Sequence, residues 1–411
     1  MPQLPTHIFG MHDSGAESEF VNAGKRAWIT LSIKVNPPDS DGDFSALANA
    51  GHTLVVRLNN GYGSDGTIPN SAQYDAFAQQ CAAFVAASKG ANIWIIGNET
   101  NLAGERPGNN GGEGGEVITP DKYAQCFAKC RSAIKKIAGH KDDWVIPSPP
   151  APWNNQTAYF GNLTGDWVEY FKDILNKCVA LNASPDALAL HTYTHGFDAN
   201  LITSEEKMGF PFGKRNYHFR AYRDFLGVVP AALKQLPVLI TETQAADSPN
   251  PATPSWWQDQ NIGWIQAAFK EINDWNAIQT NQPIQTLCLF RWARNPGDPS
   301  GWSISNRGAL VNDFRTALQK DYRVRLPKPP PPPPDPVATA IVAEAKKFKW
   351  MPINTDAALY KFAQANNLGY PQTDEFEFTY NNDGYIGQVY NGGIVYVKKG
   401  DWGNPKWARK P

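Results

Sequence analysis

The chain holds no run of about 18 consecutive apolar residues, the length a helix needs to cross a bilayer, so a membrane-spanning helix is excluded. Charge of one sign is nowhere concentrated: 38 Lys+Arg stand against 39 Asp+Glu, a formal net charge of −1, and no dense basic run occurs. Nucleic acid and anionic membrane surfaces are therefore poor partners on electrostatic grounds. Cysteine is sparse, with 5 residues scattered as Cys81, Cys126, Cys130, Cys178 and Cys288. Cys126 and Cys130 sit one helical turn apart, but no Cys or His pair at zinc spacing lies near them, so buried free thiols are expected rather than a metal centre. The first seven residues combine no basic region with an apolar stretch, and no secretory leader is read there.

Aromatic residues are plentiful, at 12% with 14 Trp. Trp offers a flat apolar face on which the C–H side of a sugar ring can lie, although most will serve ordinary packing. At 411 residues with 42% hydrophobic content, the chain exceeds what one core usually covers, and one large and one small domain are expected.

Apolar runs of four to seven residues recur eight times, at 7–11, 27–33, 53–58, 93–97, 144–147, 187–191, 238–241 and 286–290. They are near-continuous rather than alternating, as in strands covered by helices on one side and by a barrel interior on the other. Segments of helical composition separate them, at 72–88, 120–138, 165–181, 217–234 and 256–277, with a last one at 312–320. In 256–277, Trp264, Ala267, Ala268 and Ile272 recur at helical spacing as a core-facing stripe. The pattern predicts an α/β fold, a (β/α)8 TIM barrel over residues 1–323. The Gly-rich polar stretch 102–115 after the fourth run predicts a surface loop at the active face.

Residues 324–337 carry Pro327, the run from Pro329 to Pro334, and Pro336, which predicts an extended linker spanning about 30 Å at ~3.1 Å per residue. Residues 338–411 then read as a small α+β domain. Its expected helices are 339–348 and 356–366, its strands 375–380, 385–390 and 393–397, with Asn381, Asn382, Asp383 and Gly384 as a hairpin turn.

Two of the eight runs stop on an acid. The fourth ends in Gly97, Asn98 and Glu99, and the seventh in Ile240, Thr241 and Glu242. In a parallel barrel, strand ends from distant positions meet at one face, and two carboxylates meeting there suit glycosidic-bond chemistry.

Asn98 and Glu99 on strand four with Glu242 on strand seven resemble the large clan of (β/α)8 retaining glycoside hydrolases that includes family 5 cellulases and mannanases, over residues 6–321. The resemblance implies Glu99 as general acid/base, Asn98 as ligand of the sugar 2-hydroxyl, and Glu242 as nucleophile. His191 and Tyr193 are similar to the His-x-Tyr of those enzymes, whose Tyr bonds the nucleophile and whose His lines the surroundings of the acid. Trp292 matches the tryptophan that floors the subsite of the cleaved sugar. Arg57 resembles the arginine that holds the nucleophile ionised, although there that residue usually sits on an earlier strand than the third. His12, Asp13, Asn59 and Asn60 fall at strand ends on the same face as candidate hydroxyl ligands. His195 is a candidate groove residue, and Trp153 and Trp302 are candidate stacking platforms.

The reading implies a polysaccharide or oligosaccharide substrate, probed internally along an open groove, and no cofactor. A non-catalytic carbohydrate-binding barrel and an inverting enzyme with more widely spaced carboxylates are the alternatives. In the small domain, the segment from Asn367 to Glu375 and that from Gly387 to Tyr396 resemble the LGFP-type repeat of bacterial envelope proteins and wall hydrolases, with Tyr370 in place of the usual Phe. That implies an envelope glycan as a further partner, and secretion or attachment to the cell envelope.

Overall fold

The computed structural model describes residues 4–246, 256–293, 301–324 and 354–410. The chain divides into two compact units, Met1–Lys328 and Pro329–Pro411. The proline run and the expected helix at 339–348 lie outside the described residues.

The first unit is built on eight parallel strands: β1 (Phe9–His12), β2 (Trp28–Lys34), β3 (Thr53–Asn59), β4 (Ile93–Ile96), β5 (Trp144–Pro147), β6 (Leu188–His191), β7 (Val238–Thr243) and β8 (Ile284–Leu289). Their hydrogen-bonded order is β5-β4-β3-β2-β1-β8-β7-β6, a barrel closed except between β5 and β6. Asp186 bridges the start of that seam: its N–H donates to the Val145 carbonyl at 3.2 Å and its carboxylate accepts from Val145 N–H at 2.9 Å.

Two-residue alternation sorts the strand side chains. Trp28, Val55, Ile93, Ile95, Ala189, Leu239 and Cys288 are buried together inside the barrel, whereas Phe9, Ile29, Val56, Trp94, Ile240 and Leu287 pack outward into the larger core. Gly10 keeps the interior open at β1, since a Cβ there would meet Cys288 Sγ and Thr286 Oγ1 at 2.5 Å. The cover is made by the helices α1 (Glu17–Asn22), α2 (Ser45–Asn49), α3 (Tyr74–Ala87), α4 (Pro120–Lys135), α5 (Trp167–Ala180), α6 (Ala221–Gly227), α7 (Trp264–Ala277) and α8 (Gly308–Leu318). Two starts have clear local causes. Pro120 opens α4 behind Thr119, whose Oγ1 accepts from Lys122 N–H, and Asp166 caps α5 by accepting from Val168 and Glu169 N–H.

Two helices are shorter than the composition predicts. The 217–234 segment is helical only over α6 and a single turn at Ala231–Leu233, because β-branched Val228 and Val229 followed by Pro230 interrupt it. The 256–277 segment starts its helix at Trp264, after Gly263 adopts a left-handed φ of 81°. All five cysteines are buried and free.

The second unit has one described helix, α9 (Ala358–Ala365), and an antiparallel sheet of β9 (Phe376–Tyr380), β10 (Asp383–Tyr390), β11 (Gly393–Lys398) and β12 (Lys406–Ala408) in that order. The β9–β10 turn is tighter than expected. Tyr380 already pairs with Asp383, so Asn381 and Asn382 alone make it, both at positive φ (50° and 65°). The strand β12 was not read from the sequence. Leu359, Ala363, Leu368, Tyr390, Val395 and Val397 form the unit's own small core.

Candidate active site

The inward register that fills the barrel with apolar groups places polar ones at the C-terminal ends of the strands. On β3, Val55 is followed two and four residues on by Arg57 and Asn59; on β1, Gly10 is followed by His12; on β6, Ala189 is followed by His191. These side chains converge with Asn98, Glu99 and Glu242 on a cavity of about 610 Å³, in which His191 is the one set behind the lining.

Strict alternation would send Glu242 out of the barrel, beside Ile240. A bulge prevents this: Ile240 pairs with Leu190 of β6, yet Glu242 pairs with the next residue, His191, and toward β8 the register slips between Ile240 and Thr243 as well. The extra residue re-aims the strand end, so that Thr241 and Glu242 both face the site. Glu99 is reached differently, just past the end of β4, where it holds a left-handed φ of 39° that a residue with a Cβ rarely adopts. Its N–H donates to the Pro149 carbonyl at 3.0 Å and its carbonyl accepts from Leu102 N–H at 2.7 Å, which fixes the strained turn.

Glu242 is buried and surrounded by donors. Arg57 Nη1 lies 2.7 Å from its Oε1, and Tyr193 donates its hydroxyl to Oε2 at 3.0 Å. His12 Nε2 and His191 Nε2 each stand 3.8 Å from Oε1. Burial alone would raise the pKa of this carboxyl, but His191, Arg57 and His12, with the Arg57 hydrogen bond, outweigh it and hold it down at about 2. Tyr193 is pushed well above the ordinary phenol range by burial and by both glutamates, and so remains a donor.

Glu99 Oε1 sits 2.7 Å from His191 Nδ1 and 3.5 Å from the Tyr193 hydroxyl. His191 Nε2 faces Thr241 Oγ1 at 3.1 Å and Arg57 Nη2 at 3.5 Å, so the ring stands between Glu99 and the surroundings of Glu242. Oxygens of Glu99 and Glu242 lie within 4.8 Å of each other and of a His191 nitrogen. Three such groups have metal-ligand chemistry, yet here the Arg57 guanidinium already supplies the cation at Glu242.

Asn98 offers a free acceptor: its Oδ1 is buried without a partner among the described residues, while its Nδ2 points to Glu105 Oε1 at 3.5 Å. Asn59 Oδ1 and His12 Nε2 are likewise buried at the cavity without hydrogen bonds. Trp153 lines the cavity on a base provided by His195, whose ring is 4.0 Å away and is itself stacked on Tyr217 at 4.1 Å. His195 does not line the cavity. Burial pushes its pKa down to about 4, so it serves as a neutral support. Asn60 also turns away, donating to the Asp65 carbonyl.

Trp292 is not in the cavity wall. Its ring packs 2.7 Å from where a Cβ on Gly15 would stand and 6.3 Å from the Phe314 ring. The aromatic surface at the end of β8 comes instead from Phe290, the next inward position after Cys288, and from Trp302. Beyond Leu289 the chain has left the strand, and parity no longer predicts where Trp292 points.

No family model matches the sequence, and no curated protein matches it. Among solved structures, the chain is similar to a glucosidase from Croceicoccus marinus, with 12% identity over 78% of this chain and 69% of that one, at a TM-score of 0.51. The likeness is one of fold. Weaker matches are a fungal β-1,4-galactanase (13% identity, 77% and 94% covered, TM-score 0.46) and a GH5_18 protein from Bifidobacterium longum subsp. infantis (9%, 78% and 80%, 0.47).

Sequence reasoning passed over Phe290, Gln244, Arg291 and Glu105, all of which line the cavity. Phe290 had a signal: it closes the eighth apolar run, 286–290, one residue past β8 and two after the inward Cys288. Glu105 had none beyond its place in the loop after β4. It is half-buried, and desolvation first, then the charges of Glu99 and Glu242, push its pKa up to about 8.

Proposed function

We propose that the first unit is a retaining glycoside hydrolase cleaving β-glycosidic bonds in a polysaccharide. The supporting observation is the carboxylate pair: oxygens of Glu99 and Glu242 within 4.8 Å, with Glu242 clamped as an anion by Arg57 and Tyr193. Retaining enzymes carry their two carboxyls about 5–5.5 Å apart, and inverting ones need about 6.5–9.5 Å to admit a water.

In the first step a Glu242 carboxylate oxygen forms a bond to the anomeric carbon as the C–O bond to the leaving sugar breaks, and Glu99 gives its proton to that leaving oxygen. Glu99 Oε2 carries no hydrogen bond among the described residues and is the oxygen free to hold that proton. In the second step Glu99 takes a proton from water, the water oxygen bonds to the anomeric carbon, and Glu242 departs as a carboxylate. Asn98, Asn59 and His12 offer polar atoms for ring hydroxyls, and Trp153 and Trp302 offer stacking faces on a groove open enough for internal attack on a chain.

The proline-rich stretch 324–337 then acts as a spacer to an accessory domain at 338–411, whose LGFP-like segments direct the enzyme to an envelope glycan outside the cell. Hydrolysis of a panel of aryl β-glycosides tests the activity. With Glu242→Ala, added azide is expected to restore turnover and to give a glycosyl azide of inverted anomeric configuration. Wild-type turnover in that variant removes the assignment.

A further inference from the structure

Glu105 lies at the end of a single helical turn, Ala103–Glu105, in the loop after β4, and its carboxyl shares the cavity with Glu99 and Glu242. The loop is pinned, not slack. Glu105 N–H donates to the Leu102 carbonyl at 3.1 Å, and its own carbonyl accepts from Thr67 N–H at 3.0 Å. Ala103 N–H donates to Gln156 Oε1 at 2.7 Å, and Asn109 Nδ2 donates to the carbonyls of Gly63, Gly104 and Arg106. A carboxyl held this way is presented at a fixed place.

Among the described residues no cation pairs with it. Arg57 is engaged with Glu242, Arg291 Nε stands 3.7 Å from Asp13, and Arg106 turns its guanidinium to the Gln156 carbonyl and to Thr157 Oγ1. Among the described residues the Glu105 carboxyl accepts a long hydrogen bond from Asn98 Nδ2 at 3.5 Å. A half-buried carboxyl beside two others and without a paired cation is driven toward its protonated form, and a protonated carboxyl is a hydrogen-bond donor as well as an acceptor.

Resting on the glycosidase reading, we propose that Glu105 is a substrate-contacting residue of this site: a neutral carboxylic acid that, side by side with Asn98, donates a hydrogen bond to a hydroxyl of the sugar seated over Glu99 and Glu242. Asn98 Oδ1, which lacks a partner, accepts from the same sugar, so the pair reads one hydroxyl edge as acceptor and donor together. The groups facing Glu105 that set its charge are Glu99 from β4, Arg57 from β3 and Glu242 from β7. Tyr62, Tyr193, His12, Asp13 and Arg291 complete the ionisable lining.

Two variants separate this role from others. Glu105→Gln keeps a neutral donor and acceptor, whereas Glu105→Ala removes both. On the aryl β-glycoside that the wild type hydrolyses fastest among glucoside, galactoside, mannoside and xyloside, Glu105→Gln is expected to retain kcat/KM within about twofold below pH 7 and to lose the decline the wild type shows above about pH 8. Glu105→Ala is expected to lose about tenfold, mainly through KM, as one neutral hydrogen bond implies. If Glu105→Gln loses activity at every pH, Glu105 works as an anion and the proposal fails; if Glu105→Ala leaves KM unchanged, Glu105 only supports the loop and the proposal fails. A readout independent of turnover is the ¹³C carboxyl signal of labelled glutamate, assigned by its disappearance in Glu105→Gln. Its midpoint is expected near 8, and addition of the same aryl glycosides is expected to shift it. A midpoint in the ordinary carboxylate range, or no shift with any of the four glycosides, overturns the inference. Absence of hydrolysis by the wild type together with a shifted Glu105 signal would instead overturn the glycosidase reading alone.

Discussion

The end of β7 and the loop after β4 bring two glutamates to one cavity and leave them in opposite states. Glu242 is buried and Glu105 half-buried, and burial acts on both in the same direction, toward the protonated form. Glu242 has Arg57 at 2.7 Å and a phenol at 3.0 Å, and is held at about 2; Glu105 has an amide at 3.5 Å and two negative neighbours, and rises to about 8. The His191 ring, the Arg57 guanidinium and the His12 ring grouped around Glu242, with the Tyr193 hydroxyl, make it the anion of the two. Beside them stands Glu99, whose Oε1 lies 2.7 Å from His191 Nδ1.

The comparison breaks most visibly if its anion is removed. Glu242→Ala and Glu99→Ala are each expected to lower kcat on an aryl β-glycoside by orders of magnitude, with general acid–base catalysis alone accounting for ~10²–10⁴-fold in the latter. Removing the cation is next. Arg57→Met leaves Glu242 buried without its partner and should cost about 3–5 kcal/mol of stability, read by denaturant unfolding, as for other broken buried pairs. The Glu242 anion should then also titrate higher, moving the acidic limb of the pH–rate profile upward. Tyr193→Phe removes one donor and should cost roughly tenfold in kcat/KM.

A smaller effect sharpens the contrast through stability. The pKa of Glu242 is depressed on folding, so its contribution is present above about 4.5 and is lost as pH falls toward about 2. Glu105 runs the other way. Its pKa is raised on folding, so the folded chain binds a proton that the unfolded chain has released, and stability is lost as pH rises from about 4.5 to about 8. The Tm advantage of Glu105→Gln over wild type should therefore grow across that window and level off above it. A constant difference would mean that Glu105 is not held neutral.

Much of this was legible in the residues. Eight apolar runs gave eight strands, because strands buried on both faces must be apolar throughout, and the two acids were visible where the runs stop. Arg57 on the third strand stands as counted: β1 and β2 precede it and no further barrel strand intervenes. What could not be read depends on contacts across the fold. The β7 bulge that turns Glu242 inward leaves no mark in Leu239, Ile240 and Thr241 as a string. The loop 102–115 looked like slack polar surface, yet Ala103, Arg106 and Asn109 are buried by partners from residues 63 to 157, and that pinning is what makes Glu105 part of the site. The resemblance made Trp292 the sugar floor, but the strand stops at Leu289 and the Trp292 ring packs against Gly15 and Phe314 instead.

The central claim, that Glu242 is the carboxylate that bonds to the sugar, is tested most directly by trapping. A 2-deoxy-2-fluoro glycoside with a dinitrophenyl leaving group, of the sugar the enzyme prefers, should load the protein, and mass spectrometry of its peptides should place the adduct on Glu242. An adduct on Glu99 or Glu105, or rapid hydrolysis of natural substrate with inversion and no adduct, would contradict it.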